Sequence, residues 1–169
     1  MVSEIDSLRL YGNWVIGTKG KFNAGSGTVE MTGVGVKTVQ NKALNFNNFV
    51  IDVNGTVQAQ SAMKVGGNFW IKKGTFDVSS YDVTVGGDYI NEGTFVASTK
   101  TLILNGAGTH DFIPGRSTYC NIAVKNGIYT LNNTELHLTR NLDIDGGTLS
   151  VANSTIELGD GTGDRKSVV

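Results

Sequence analysis

Shifted by 73 positions, this chain lies on itself without a gap: residues 27–78 over residues 100–151 give nine identities. They include Thr28/Thr101, Gly33/Gly106, Gly35/Gly108, Asn48/Asn121, Asn68/Asn141 and Gly74/Gly147, and most other matches keep apolar character, as in Val29/Leu102, Phe46/Tyr119 and Val65/Leu138. An ungapped internal repeat points to a stacked architecture in which each unit contacts only its neighbours. A shorter period lies inside the long one. Gly67-Asn68-Phe69 followed by Gly74-Thr75-Phe76 returns as Gly87-Asp88-Tyr89 with Gly93-Thr94-Phe95. Gly12-Asn13-Trp14 with Gly20-Lys21-Phe22 and Arg140-Asn141-Leu142 with Gly147-Thr148-Leu149 are further copies.

Coil starts near 27, 46, 62, 82, 101, 118, 135 and 155 give steps of 16 to 20 residues, hence four coils to each 73-residue unit. Within a coil the apolar residues alternate, as in Met63-x-Val65, Val83-x-Val85, Leu102-x-Leu104 and Ile156-x-Leu158. Period two over short runs bounded by Gly, Asn and Asp marks strands with one buried face. With 23 Gly, one Pro and no helical period, there is no room for helical crossovers. The expected fold is all-β: a single right-handed parallel β-helix (β-solenoid) of about 8–9 coils of 16–20 residues, without helices of note. An antiparallel sandwich also accommodates regular short strands, but has no reason to hold a long register without insertion.

Composition narrows the function classes. Net charge is −1 with 17% charged residues, which leaves no electrostatic footprint for nucleic acid. No apolar run reaches membrane-spanning length, so membrane insertion is not expected. Cys120 is the single cysteine, standing where Asn47 stands one unit earlier, and reads as a turn residue. Both ends read as cut, and solenoids without caps can associate end to end through their open edges. Asp164-Arg165-Lys166-Ser167-Val168-Val169 match the translation of a common sequencing-library adapter. The expected division is therefore a solenoid over 1–163 in a metagenomic fragment, followed by read-through over 164–169.

The repeated polar residues read first as structure. Asn13, Asn68 and Asn141, with Asp88 replacing one, fall at a corresponding turn where amides can stack in a ladder, and Asn48 and Asn121 form a second set. Thr75, Thr94 and Thr148 face solvent singly, without the paired Thr-x-Thr face of an ice-binding solenoid. His110 replaces Lys37 one unit earlier and so reads as exposed. Asp143 and Asp145 share one strand face but replace Trp70 and Lys72 across the repeat, which suits a solvated edge better than a glycosidase pair. The string Gly159–Asp164 resembles glycine-aspartate calcium repeats only superficially. No catalytic residue, metal site or cofactor is expected. One ligand-binding candidate stands out. If Phe69 and Ile71 point inward, then Trp70 and, one coil later, Ile90 point outward with Lys72 nearby. That arrangement can stack a sugar ring or hold a protein partner; the alternative is an isolated exposed aromatic.

The run Gly-Asn-Trp/Phe-x-Ile…Gly-Thr-Phe, with Gly27-Thr28-Val29-Glu30-Met31-Thr32-Gly33 and Phe46-x-Asn48-Phe49-x-Ile51, resembles the β-solenoid repeats of large bacterial surface and secreted proteins, including filamentous-haemagglutinin-like adhesins. The resemblance covers residues 8 to about 163 and implies a structural or adhesive rod, extracellular or on the cell surface, with no catalysis of its own. Its implied partners are surface glycans or proteins of host or neighbouring cells. A carbohydrate-active or carbohydrate-binding β-helix and a phage tail-spike segment are the alternatives. The buried frame is directly testable: Phe76→Asp or Leu104→Asp places an unpaired charge in the core and should unfold or aggregate the chain, read by circular dichroism and gel filtration.

Overall fold

The computed structural model describes residues 7–42, 45–78, 80–159 and 165–168, the last four as backbone only. It is a parallel β-solenoid of about 7 turns. Among the described residues no helix occurs, and Arg165–Val168, antiparallel to Thr155–Gly159, is the one departure from parallel pairing.

Three faces wind around one core. The first carries the inward column Val29, Phe49, Phe69, Tyr89 and Phe112, each paired in register with the next, with the exposed Leu8 in register before Val29. The second carries Val57, Phe76 and Phe95, and further along Leu136 and Ile156. The third carries Met63, Val83, Leu102, Ile122 and Leu142. Alternation does the sorting: in Phe69–Asp77, Phe69 and Ile71 are buried and Trp70 is not. At the usual strand spacing of about 4.8 Å, seven turns stack to about 34 Å.

Phe49, Phe69 and Tyr89 lie 20 residues apart along one column and Phe76 and Phe95 lie 19 apart, at the upper end of the 16–20 residues expected from sequence, so the turns number about 7 against the expected 8–9. At 20 residues per turn, the 73-residue repeat is about 3.65 turns rather than four. The extra two-thirds carries each face onto a different one. Val29 and Phe49 of the first face correspond to Leu102 and Ile122 of the third, and Phe76 of the second to Leu149, which pairs with Tyr129 back on the first. Repeat-equivalent residues therefore share inward or outward direction but not the side of the rod.

An aromatic spine runs through the core from Trp14 by Phe22, Phe46, Phe49, Phe69, Tyr89 and Phe95 to Tyr119, with neighbouring ring centroids between 4.5 and 6.1 Å apart. Each such contact adds roughly 0.5–1.5 kcal/mol beyond burial of the ring. The corner leading from the third face to the first is a glycine column for a steric reason. A Cβ on Gly86 would collide with the carbonyl of Gly66, and one on Gly106 with that of Gly86, so only glycine lets consecutive turns close up there.

One polar cluster interrupts the apolar interior. Tyr119 Oη donates to Pro114 O at 2.8 Å and accepts from Tyr89 Oη at 3.0 Å and Asn91 Nδ2 at 3.2 Å. Asn91 Nδ2 also reaches Ser117 Oγ, which accepts from Phe95 N. The cluster supplies side-chain donors to the buried Pro114 carbonyl and an acceptor to Phe95 N, while Asn91 Oδ1, also buried, has no hydrogen-bond partner among the described residues. Burial, reinforced by Tyr119, pushes the Tyr89 phenol well above its ordinary value; burial likewise raises Tyr119. The neutral phenols are thus the folded form, while an unfolded chain ionises above the ordinary value of 10.0. Stability should hold below that pH and fall as pH rises through it. Denaturant midpoints measured from pH 8 to 11 should decline more steeply for this chain than for the Tyr89→Phe/Tyr119→Phe double variant, and parallel curves would refute the assignment.

Candidate functional site

The outward column of the first face contains Glu30, Val50, Trp70, Ile90 and Ile113 in consecutive register. Trp70, Ile90 and Lys72 therefore lie together on one surface. Their partners are internal, however. Trp70 Nε1 donates to Glu92 Oε2 at 3.0 Å, and Lys72 Nζ sits 4.5 Å from the centroid of the Trp70 ring. Lys72 is the extra residue of a bulge, because Ile51 pairs with Ile71 while Asp52 pairs with Lys73, and the bulge turns its side chain back over the indole. The half-buried ring has its N–H engaged and an ammonium over its face, which makes the patch a closed cross-turn cluster more than an open platform.

The Asx residues fall into separate columns. Asn48, Asn68 and Asp88 follow one another on successive turns: Asn48 Oδ1 accepts Asn68 N at 2.9 Å, Asn68 Oδ1 accepts Asp88 N at 2.9 Å, and Asp88 Oδ1 accepts Asp111 N at 3.0 Å. Asn121 and Asn141 form a second column on the third face, joined amide to amide at 3.1 Å, and Asn13 stands apart, accepting Thr38 N at 2.9 Å. In the first column the working atom is a side-chain oxygen that takes a backbone N–H of the next turn. An acceptor is all that is needed, which explains how an aspartate fits at position 88.

Lys37 and His110 share a structural task. Lys37 is 5% exposed and its Nζ donates to Val34 O at 2.9 Å; His110 Nε2 lies 3.0 Å from Ala107 O, the equivalent carbonyl one repeat later. Both tie down a Gly-x-Gly corner, so Lys37 is buried and His110 is partly covered, against the exposed position expected from sequence. Gly33, Gly35 and Gly108 take φ of 95°, 81° and 95° at these corners, conformations that glycine adopts at little cost. Asp143 and Asp145 share one cation, with Lys125 Nζ 2.6 Å from Asp143 and 3.3 Å from Asp145. The hydrogen bond to Asp143 is the main reason the ammonium is held above its ordinary value. Cys120 is buried, with Asn121 Nδ2 3.5 Å from its sulfur. Asp160–Asp164 lie outside the described residues.

A groove of about 520 Å³ on the second face gathers side chains that sequence spacing kept apart. Arg116, Glu135, His137 and Thr155 come from three successive turns, with Asn133 and Asn153 at the adjoining corner. Registration builds it, since Thr118, His137 and Glu157 form one outward column and Glu135 pairs with Thr155. His137 Nδ1 is 2.9 Å from Glu157 Oε2 and its Nε2 is 3.6 Å from Glu135 Oε2. The two carboxylates approach opposite nitrogens, which is the geometry of an imidazole held between acceptors and not of a metal-ligand set. Among the described residues no group of three or more His, Cys, Asp or Glu is placed to hold a metal ion. The sequence signal was the matched run Asn133-Thr134-Glu135-Leu136-His137 and Asn153-Ser154-Thr155-Ile156-Glu157, which stacks two polar corners one turn apart.

The acceptor role at position 88 is testable. Asp88→Asn keeps an oxygen for Asp111 N and should change stability by less than about 1 kcal/mol, whereas Asp88→Leu removes it and should cost about 1–2 kcal/mol in chemical denaturation. Compared with known proteins, the chain matches no family model, no curated protein and no solved structure.

Proposed function

We propose that this chain is a structural and adhesive rod segment of an extracellular bacterial protein, of the filamentous-haemagglutinin-like type that its repeats resemble. The observation that supports this best is the uninterrupted parallel pairing along one axis, from Ser7–Leu10 through Thr28–Gln40, Asn48–Ala59 and Phe69–Asp77 to Thr101–Ile113 and Thr118–Asn132. Every turn is tied to the next by a backbone ladder, by a continuous core and by side-chain acceptors at the corners. A load along the axis is shared over many hydrogen bonds, as a stalk requires. Stacked turns display their outward columns as long strips, and strips suit attachment to extended partners better than enclosure of a small substrate.

The competing readings are a carbohydrate-active β-helix and a trimeric tail-spike segment. Beads coated with the purified chain should bind cells or surface polysaccharide above uncoated beads. The chain should be monomeric by light scattering and should release no fragments from a polysaccharide panel. Steady product release would replace the proposal with the enzymatic reading, and a stable trimer would replace it with the tail-spike reading.

A further inference from the structure

The groove on the second face gathers Arg116, Asn133, Glu135, His137, Asn153 and Thr155. Arg116 is exposed and has no hydrogen-bond or ion-pair partner among the described residues. A free guanidinium fork is built for bidentate capture of a carboxylate. Beside it, the Glu135 side chain is 72% exposed and approaches His137 only at 3.6 Å, which leaves carboxylate lone pairs for hydroxyl donors. Asn133, Asn153 and Thr155 add amide and hydroxyl groups along the same wall. Asn133 and Asn153 hold φ of 51° and 50°, so two successive turns present the same left-handed corner to the groove. The His137 ring on the groove lining is oriented by Glu157 at 2.9 Å.

From this arrangement we infer that the groove binds an acidic sugar of a linear, uronate-bearing polysaccharide, with the sugar carboxylate on Arg116 and its hydroxyls on Glu135, Asn133, Asn153 and Thr155. The chemistry selects the class. One unpaired cation beside a carboxylate acceptor and several neutral hydrogen-bonding groups matches a ligand with one anionic group among many hydroxyls. A polyanion would meet repulsion from Glu135 and Glu157, and a neutral chain would leave the guanidinium unanswered. Arg116, Glu135 and Thr155 come from consecutive turns, so the wall spans about 10 Å along the axis, and its volume falls within the usual range for small-ligand sites.

This inference deepens the adhesive part of the proposed function and rests on it only for the setting; scattering and bead adhesion report on the rod, and the following experiment on the groove alone. A uronic acid trisaccharide and its methyl ester, which removes the charge and keeps the hydroxyls, are titrated into labelled protein and followed by two-dimensional NMR. The acid should shift the backbone signals of Arg116, His137 and Thr155, and the ester should bind at least about tenfold more weakly. Arg116→Gln should weaken the acid by a similar factor with an unchanged melting temperature, and Arg116→Lys should retain part of the affinity. Absence of shifts at the groove, equal binding of acid and ester, undiminished binding to Arg116→Gln, or a preference for an acidic peptide over the sugar would each overturn the inference.

Discussion

Every feature of this rod depends on the registration of one turn on the next. In a parallel stack, each backbone N–H and C=O on a face must find its partner in a strand about 20 residues away, and the side chains between them must fill one shared interior. Extra residues are taken up at corners and in bulges such as that at Lys72, so the paired stretches keep their register. The corners therefore carry the specific chemistry. Glycines at 86 and 106 let backbones approach where a Cβ would strike the preceding carbonyl. Side-chain oxygens of Asn48, Asn68 and Asp88 receive amides that the corner has turned away from the regular ladder. The aromatic spine then locks the register from within, since each ring contacts those of adjoining turns.

The 73-residue repeat takes on a different meaning in three dimensions. Because it spans about 3.65 turns, the repeat keeps the inward or outward direction that registration needs while carrying every residue to another side of the rod. Inward residues and corner glycines correspond well between the copies. Lys37 and His110 do the same work, binding the carbonyls of Val34 and Ala107, although they are different residues. Outward residues diverge: Trp70 and Lys72 correspond to Asp143 and Asp145, and Asp52 corresponds to Lys125. Both copies put opposite charges in neighbouring turns at this place, Asp52 in register with Lys73 and Lys125 bonded to Asp143, but with the signs exchanged. Surface positions are thus free to diverge without disturbing the stack.

The fold was largely legible because its causes are local and periodic. Alternation at Met63-x-Val65 and Phe69-x-Ile71, and the glycine and asparagine punctuation, report burial and turns directly. The number of turns was less legible. Corners differ in length, and a stretch as short as Asn45–Phe46 leaves too few residues to show a period, so the expected count of 8–9 exceeds the observed 7 or so. The grouping of Asn48 with Asn68, and of Asn121 with Asn141, required knowing which corners lie above one another. The outward placement of Trp70 and Ile90 followed from alternation, but the Glu92 bond and the Lys72 bulge did not, since both join side chains across a turn or within an irregular strand. The second-face groove was beyond reach for the same reason: Arg116, His137 and Thr155 are neighbours only after three turns have been stacked.

The proposed function joins a mechanical role, resting on registration, to a chemical one, resting on a few outward residues, and the first sets the geometry for the second. Registration is therefore the claim to measure. Arg9, Glu30, Val50, Trp70, Ile90 and Ile113 form one outward column, so Ile113 lies five turns from Arg9 and four from Glu30. Spin labels on cysteines at 9 and 113, and at 30 and 113, in a Cys120→Ser background, should give narrow dipolar distance distributions centred near about 24 Å and about 19 Å, a difference of one turn. Broad distributions, or a difference far from about 5 Å, would contradict the stacked register on which the account rests.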